Sequence, residues 1–596
     1  MFAGPILARE FLTIPRPLRF YLIRAAYAGM LFVTMWTAWQ SLIGWQNVNA
    51  VGTMARFGNV LYKIFALGEL TLMLFFAPIA AAVAIAFEKD RRTFTLLMMT
   101  DLSDLEIVVG KLVASLVMVA TLLATSAPVF FVCLLLGGIS FRQLGEVLTV
   151  TASAGLAGGS LGLLIALWRD RTFPTLALTI LVVALSLGLI ELLGILLPGV
   201  TFLGSPLAVT LNPFRNLYAI LEPVDPARTG AGLAFMTVSI LVSLALNTIS
   251  VVMLRRWNPS RNEPREQREG VEETESSEGI EQIDEETPVQ ITEELKLRIP
   301  RRRHRRIAPP PRPYRVPWDT PIIWRELKTR AYGSKPLIIK GAFVAAFALA
   351  VGFGLINPAM LAPSFAFVAV LSLLLVNAQA VTALTSERDT GALDLLLVTE
   401  LSPREFILGK LYGAIYNTKE MVVLPLLYVL TLAWMGRIDW EVAVSVFLGF
   451  VLMVHFAAML GLHSAITYTS SRTAIATSLG TLFFLMVGII VCAFLIILSD
   501  RDFGRQLLSF LIFIGAGSVG LFLALGSKNP SPAIGWVAAL TPFWTFYCVI
   551  GVLNGDDPFG ILAVGFSLYS FALAAMMIPA ISDFDIALGR TNAIQG

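Results

Sequence analysis

The sequence predicts an all-α polytopic membrane protein built from two tandem six-helix-type units, with about 12–14 membrane-spanning helices in total. Three observations predict it. The 596-residue chain is 56% hydrophobic and only 14% charged, whereas soluble domains carry about 25% charged residues. A soluble core this apolar would lack the polar surface to cover it. Apolar runs of about 20 residues, the length that crosses a hydrocarbon core, recur along the whole chain. Finally, one charged-then-amphipathic stretch occurs twice. EKDRRTFTLLMMTDLSDLEIVVGKL runs from Glu88 to Leu112 and ERDTGALDLLLVTELSPREFILGKL from Glu387 to Leu411, aligned without a gap at an offset of 299, with 11 of 25 positions identical. Repetition at one place in each half points to a duplicated unit.

The first unit, residues 1–257, shows apolar runs near 20–44, 61–87, 109–139, 145–168, 173–197 and 231–254. The first of these follows Arg9, Glu10, Arg16 and Arg19 and has no small-residue cleavage site after it, so it reads as an uncleaved signal anchor. The second unit, residues 318–596, shows runs near 337–357, 363–386, 408–435, 440–468, 473–498, 507–526, 533–553 and 558–582. PILARE at Pro5–Glu10 matches PIIWRE at Pro321–Glu326 ahead of the first span of each unit, and LNPFRNLY at Leu211–Tyr218 resembles LTPFWTFY at Leu540–Tyr547 ahead of the last. The run at 507–526 has no counterpart. The total is 14 if it and 533–553 both cross, and 12 if they form a re-entrant pair. Gly515, Gly517, Gly520 and Pro542 permit irregular backbone where other protein covers it.

Lys and Arg concentrate on one side of these spans. Arg9, Arg16, Arg19 and Arg24, Lys89, Arg91, Arg92 and Lys111, and Arg388, Arg404 and Lys410 share that side, against Arg56, Arg215, Arg228, Arg437 and Arg501 on the other. This bias places both repeated loops, both ends and the middle linker in the cytoplasm. The linker, residues 258–317, is acid-rich from Glu263 to Glu294 and then basic and proline-rich, RRRHRRIAPPPRPYR. Such a composition cannot offset its ordering entropy and is expected to be a disordered tether. Cys133, Cys492 and Cys548 lie in apolar runs without CxxC spacing, so neither a disulfide framework nor a metal site is indicated.

In the second copy of the repeat, Asp389-Thr390-Gly391 breaks the preceding helix. Leu393, Leu396 and Leu397 then fall at helical spacing on one face of a short helix, and Ser402-Pro403-Arg404-Glu405 reads as a capping box opening the next span. Ser103-Asp104-Leu105-Glu106 repeats the box in the first copy. The Gly-Lys pairs at Gly110-Lys111 and Gly409-Lys410 are not phosphate loops, because Leu105 and Arg404 occupy the position of the required earlier glycine. They read as helix starts with a lysine snorkelling toward the interface. Lys419 and Glu420 lie about three turns into the third span of the second unit, and Glu191 lies in a span of the first. Each is a candidate for a pathway or inter-half role, or for a structural ion pair.

The pattern Glu-Arg-x-x-Gly-x-Leu-x-Leu-Leu-Leu-x-Thr-x-Leu-Ser from Glu387, with Gly-Lys-Leu in the next span, resembles the type-2 ABC exporter permeases, and the resemblance covers both halves. It implies two permease halves fused in one chain. Glu88, Lys89, Phe94, Leu96, Leu97, Thr100 and Ser103 would form one ATPase-coupling element. Glu387, Arg388, Gly391, Leu393, Leu395, Leu396, Leu397, Thr399 and Ser402 would form the other. Arg9 and Glu10, and Arg325 and Glu326, would sit on elbow helices. The partners implied are two ABC ATPase subunits at the cytoplasmic face and the lipids of the plasma (cell inner) membrane. ATP and Mg would be held by the ATPase subunits, and this chain would bind no cofactor, no metal and no nucleic acid and catalyse nothing. The alternative is an ion-coupled secondary transporter using the intramembrane charges. Two departures from the family pattern stand out. Asp101 and Glu400 occupy a position where proline is usual, and Arg92 replaces the breaker glycine. The second element is therefore expected to dominate partner binding.

Overall fold

The computed structural model describes residues 18–43, 51–202, 204–222, 231–258, 320–328, 336–397, 401–489, 503–526 and 531–582. Arg9, Glu10, Thr399, Glu400, Cys492 and the linker beyond Asn258 lie outside them. Among the described residues the protein is almost wholly helical, with one two-residue hairpin, Thr201–Phe202 against Ser205–Pro206. It is an all-α polytopic membrane protein, and eleven of its described helices are long and apolar enough to cross a bilayer.

The N-terminal half contains α1 (Leu18–Leu42), α2 (Val51–Asp90), α3 (Thr93–Met98), α4 (Asp104–Leu136), α5 (Phe141–Trp168), α6 (Thr172–Leu196), α7 (Leu207–Leu211), α8 (Pro213–Leu221) and α9 (Ala231–Trp257). The C-terminal half contains α10 (Pro321–Lys328), α11 (Pro336–Ile356), α12 (Leu361–Asp389), α13 (Ala392–Leu397), α14 (Pro403–Asn417), α15 (Lys419–Trp434), α16 (Trp440–Thr467), α17 (Ser471–Phe483), α18 (Phe503–Gly526), α19 (Pro532–Asn554) and α20 (Pro558–Ser582). The offset of 299 seen in the loops extends to the helices: α3 maps onto α13, α5 onto α16, and the ends of α2 and α12 coincide. With 40 residues, α2 is about 60 Å long, twice the thickness of the hydrocarbon core, so it projects beyond it.

Two sequence expectations change. The run at 408–435 is not one helix. It breaks at Thr418, a fully buried residue that caps α14 and precedes α15, with its hydroxyl returned to the Ala414 carbonyl at 2.9 Å. The two related Pro-Phe motifs also fold differently. In LNPFRNLY, the Asn212 side chain accepts from the Phe214 amide at 2.8 Å and starts α8 with Pro213 in its first turn, a strong N-cap arrangement. In LTPFWTFY, Pro542 sits inside the continuous helix α19.

The halves share a core. Phe173, Leu176 and Leu181 of α6 pack with Phe343 of α11 and Leu374 of α12, and Phe75 of α2 stacks on Phe483 of α17 at 4.5 Å. Helices approach closely, backbone to backbone, at two glycines related by the same offset. Gly162 of α5 faces the Pro78 carbonyl of α2, and Gly461 of α16 faces the Asn377 carbonyl of α12. Small residues of this kind let membrane helices meet backbone to backbone.

Candidate functional site: the paired loops

Both repeated stretches fold as a short helix between two long ones, and both lie at the same end of the bundle. Each copy opens through a left-handed residue. Gly391 has φ of 76° and Arg92 has φ of 58°, the one non-glycine residue with positive φ among those described. Glycine adopts this conformation freely, whereas a side chain there costs roughly 1–2 kcal/mol. Arg92→Gly is therefore expected to raise stability by about 1 kcal/mol, read as an upward shift in thermal unfolding. A fall would show that the Arg92 side chain contributes more than its backbone costs. Both capping boxes form: Ser103 with Glu106, and Ser402 with Glu405.

The charged residues that open and close the repeat take part in three clamps, each present twice. Glu88 pairs with Lys111, and Glu387 pairs with Lys410 at 2.7 Å. Lys89 Nζ donates to the Leu167 and Arg169 carbonyls at 2.6 and 2.9 Å, and Arg388 Nη1 donates to the Ala465 and Tyr468 carbonyls at 2.9 and 2.8 Å. A cation thus sits on the last carbonyls of α5 and of α16, where the helix dipole favours it. Thr172 donates to Asp90, and Ser471 donates to Asp389 at 2.5 Å. Each set fixes one end of its short helix to the span behind it.

The lysines do not snorkel. Lys410 is 1% exposed and turns inward between Glu326 of α10, at 2.7 Å, and Glu387. Arg325 joins the same two carboxylates. Helix α10 can lie this close because ideal Cβ atoms on Gly409 and Gly413 would stand 2.5 Å from the Ile322 side chain and 2.7 Å from that of Glu326. The network ties the elbow-like helix, the loop and the following span together.

Phe94 and Met98 of α3 are buried against α2, α4 and α5, and Leu97 leans on the same cluster. Leu96 and Met99 point away, 66% and 74% exposed. In the second copy Leu393 is buried and Leu396 packs against the core, while the side chains of Leu395 and Leu397 lie outside the described residues. The two loops also touch. Arg91 reaches Asp389 at 3.2 Å, and Arg91 and Arg472 stack on Phe87 at 4.3 and 4.7 Å. A cleft of about 390 Å³ lies between them, lined by Arg91, Thr93, Arg388, Asp389 and Thr469.

The other candidates are engaged locally. Lys419 sits over the Tyr416 ring at 4.1 Å, and Glu420 pairs with Lys340 rather than with its neighbour. Glu191 accepts from Arg215 at 2.5 Å and from Asn212 at 2.5 Å at the far end of α6. A cavity of about 710 Å³ opens beside that pair, lined by Leu67, Leu197, Pro206, Phe214 and Tyr218 among others. Sequence reasoning passed over Thr172 and Ser471, whose shared offset of 299 was the available signal. It also passed over Glu69, which is 4% exposed inside α2.

Residues 261–550 match the family model for ABC-2 family transporter proteins. The chain carries an ABC-2 family transporter region. That region spans the second repeated loop and α10 to α18, and the family is a membrane domain of ABC transporters, not an ATPase. No curated protein and no solved structure matches the chain. The ABC-2 match and the eleven apolar helices among the described residues support a multi-pass membrane permease of an ABC transporter.

Proposed function

We propose that the chain is the fused permease of an ATP-driven exporter, with both membrane halves on one polypeptide and α3 and α13 docking on two separate ATPase subunits. The loops, both chain ends and the linker face the cytoplasm in this reading, and ATP and Mg belong to the partner subunits. One observation carries it. Two loops of the same construction lie side by side at one end of the bundle, each clamped to its own half, and the first presents Leu96 and Met99 outward. Such apolar residues on a charged rim suit a docking groove. Closure of the ATPase subunits would move the loops, and the clamps would pass that motion to the spans. An ion-coupled transporter is supported less well, because Glu420 and Glu191 are each held in an ion pair.

The test uses the outward Leu96 and its counterpart in the second copy. Leu96→Asp puts an unpaired charge in the docking groove, which costs several kcal/mol. Recovery of an ATP-binding subunit with the tagged full chain from native membranes is expected to fall at least tenfold, about 1.4 kcal/mol or more, at equal expression and insertion. Leu395→Asp at the matching position is expected to reduce recovery further, if the second element dominates. Undiminished recovery with both variants, or ATP hydrolysis by the chain alone, would overturn the reading.

A further inference from the structure

Glu69 lies near the middle of α2 and is 4% exposed. Its carboxyl is enclosed by hydroxyls. Ser126 of α4, fully buried, stands 2.6 Å from Glu69 Oε1, and the Tyr27 phenol of α1 lies beside the same carboxyl. Among the described residues no Lys or Arg forms an ion pair with it. Charged groups on and around α2 are engaged elsewhere: Lys63 with Glu222 just after α8, Arg142 with Glu146 on α5, and Arg215 of α8 with Glu191 of α6. On α1, Arg24 donates through Nε to Thr125 of α4 at 3.3 Å, and on α2 itself the Tyr62 phenol donates to the Gln143 carbonyl at 2.8 Å.

A count of hydrogens favours a protonated carboxyl. Ser126 has one hydroxyl hydrogen, yet its oxygen lies 2.6 Å from Glu69 Oε1 and 2.8 Å from the Leu123 carbonyl oxygen. The Leu123 carbonyl can only accept, and an ionised carboxylate can only accept. One hydrogen cannot serve both contacts well. Both become sound hydrogen bonds when Glu69 carries a proton and donates it to Ser126 Oγ, while Ser126 donates to Leu123. The medium favours the same state, because an unpaired charge inside a span is costly and an intramembrane carboxyl without a cation lowers that cost by staying neutral.

We propose that Glu69 is an intramembrane proton-binding site, occupied in the closed pocket between α1, α2 and α4. One proton from bulk water adds to a carboxylate oxygen on loading, and the same O–H bond breaks on release, with no electron transferred. Helix α1 supplies Tyr27 to the pocket and also packs on α18 of the C-terminal half. Relative movement of the halves therefore opens or seals the site, which makes the transport cycle depend on pH through Glu69.

The decisive measurement is infrared spectroscopy of the purified full chain at neutral pH. The wild type is expected to show a carboxylic-acid C=O band, shifted in heavy water, that Glu69→Gln removes. Ser126→Ala should keep the band and move its frequency, since a hydrogen bond is lost. Identical spectra for wild type and Glu69→Gln would overturn the proposal. Should Glu69→Gln fail to fold, an unchanged band in Ser126→Ala would overturn it instead. In the assembled transporter, the pH profile of activity is expected to flatten in Glu69→Gln and to survive in Glu69→Asp. A shared profile in wild type and Glu69→Gln would overturn the link to the cycle. The infrared result does not depend on the exporter reading, so the two fail separately.

Discussion

Lys410→Ala is expected to cost about 3–5 kcal/mol of stability, because it removes one partner from a buried ionic network and leaves the others uncompensated. The ammonium is 1% exposed and lies 2.7 Å from both Glu326 and Glu387, with a third bond to the Ala383 carbonyl at 3.1 Å. Those carboxylates are themselves largely shielded, at 9% and 18% side-chain exposure. Without Lys410 two carboxylates face one another with Arg325 as the remaining shared cation. The matching Lys111→Ala is expected to be milder. Lys111 pairs with Glu88 alone among the described residues, and its side chain is 11% exposed. Thermal or denaturant unfolding of the purified variants reads both values. Removing Glu387 as well, as Glu387→Gln, should cost less than the sum of the single changes, since the members of one network do not act independently. A Lys410→Ala protein that unfolds like the wild type would show that the network carries no net stability.

What the sequence made legible is what local rules specify. Among the described residues the apolar runs became helices, because a helix satisfies every backbone hydrogen bond within its own segment in lipid. The capping boxes at Ser103 and Ser402 and the turn at Gly391 followed from neighbours within three residues. The missed features depend on partners far along the chain. Lys410 turns inward because Glu326, 84 residues away, meets it, and no local pattern announces that. The direction of the short helices also escaped, because an amphipathic period identifies a face without saying whether it meets the permease or a partner. Phe94 and Leu393 proved to be the residues facing inward. Arg92 was noted as a departure from glycine, yet it takes the same left-handed conformation, imposed by the clamps on either side. Glu69 was lost inside a long apolar run, where one polar residue barely alters the average. The break at Thr418 has no strong local breaker to mark it.

The second large effect is expected at the glycine contacts. A Cβ on Gly162 would stand 2.2 Å from the Pro78 carbonyl oxygen, and one on Gly461 would stand 2.8 Å from the Asn377 oxygen and 2.9 Å from both the Ala380 Cβ and the Val381 nitrogen. The obstructing atoms include backbone of α2 and α12, so no rotamer change relieves the clash and the helices must separate. Separation would forfeit more than dispersion. Asn377 donates to the Ala457 carbonyl of α16 at 2.8 Å and accepts from Ser478 of α17 at 2.8 Å, both bonds buried. Overpacking of this kind typically costs 1–3 kcal/mol, and Gly162→Val and Gly461→Val should each reach about 3 kcal/mol or more. Gly145 on the same α5 supplies the control, because nothing lies within 4 Å of its would-be Cβ. Gly145→Ala should be neutral or stabilising by up to about 1 kcal/mol, the helix-propensity gain. Thermal unfolding of the three variants in one detergent tests the set. If Gly162→Val and Gly145→Ala unfold alike, the close backbone approach is not what holds α5 to α2. If Gly162 and Gly461 prove equally intolerant, the positions related by the 299-residue offset do the same mechanical work in both halves, which is the behaviour a duplicated permease unit requires.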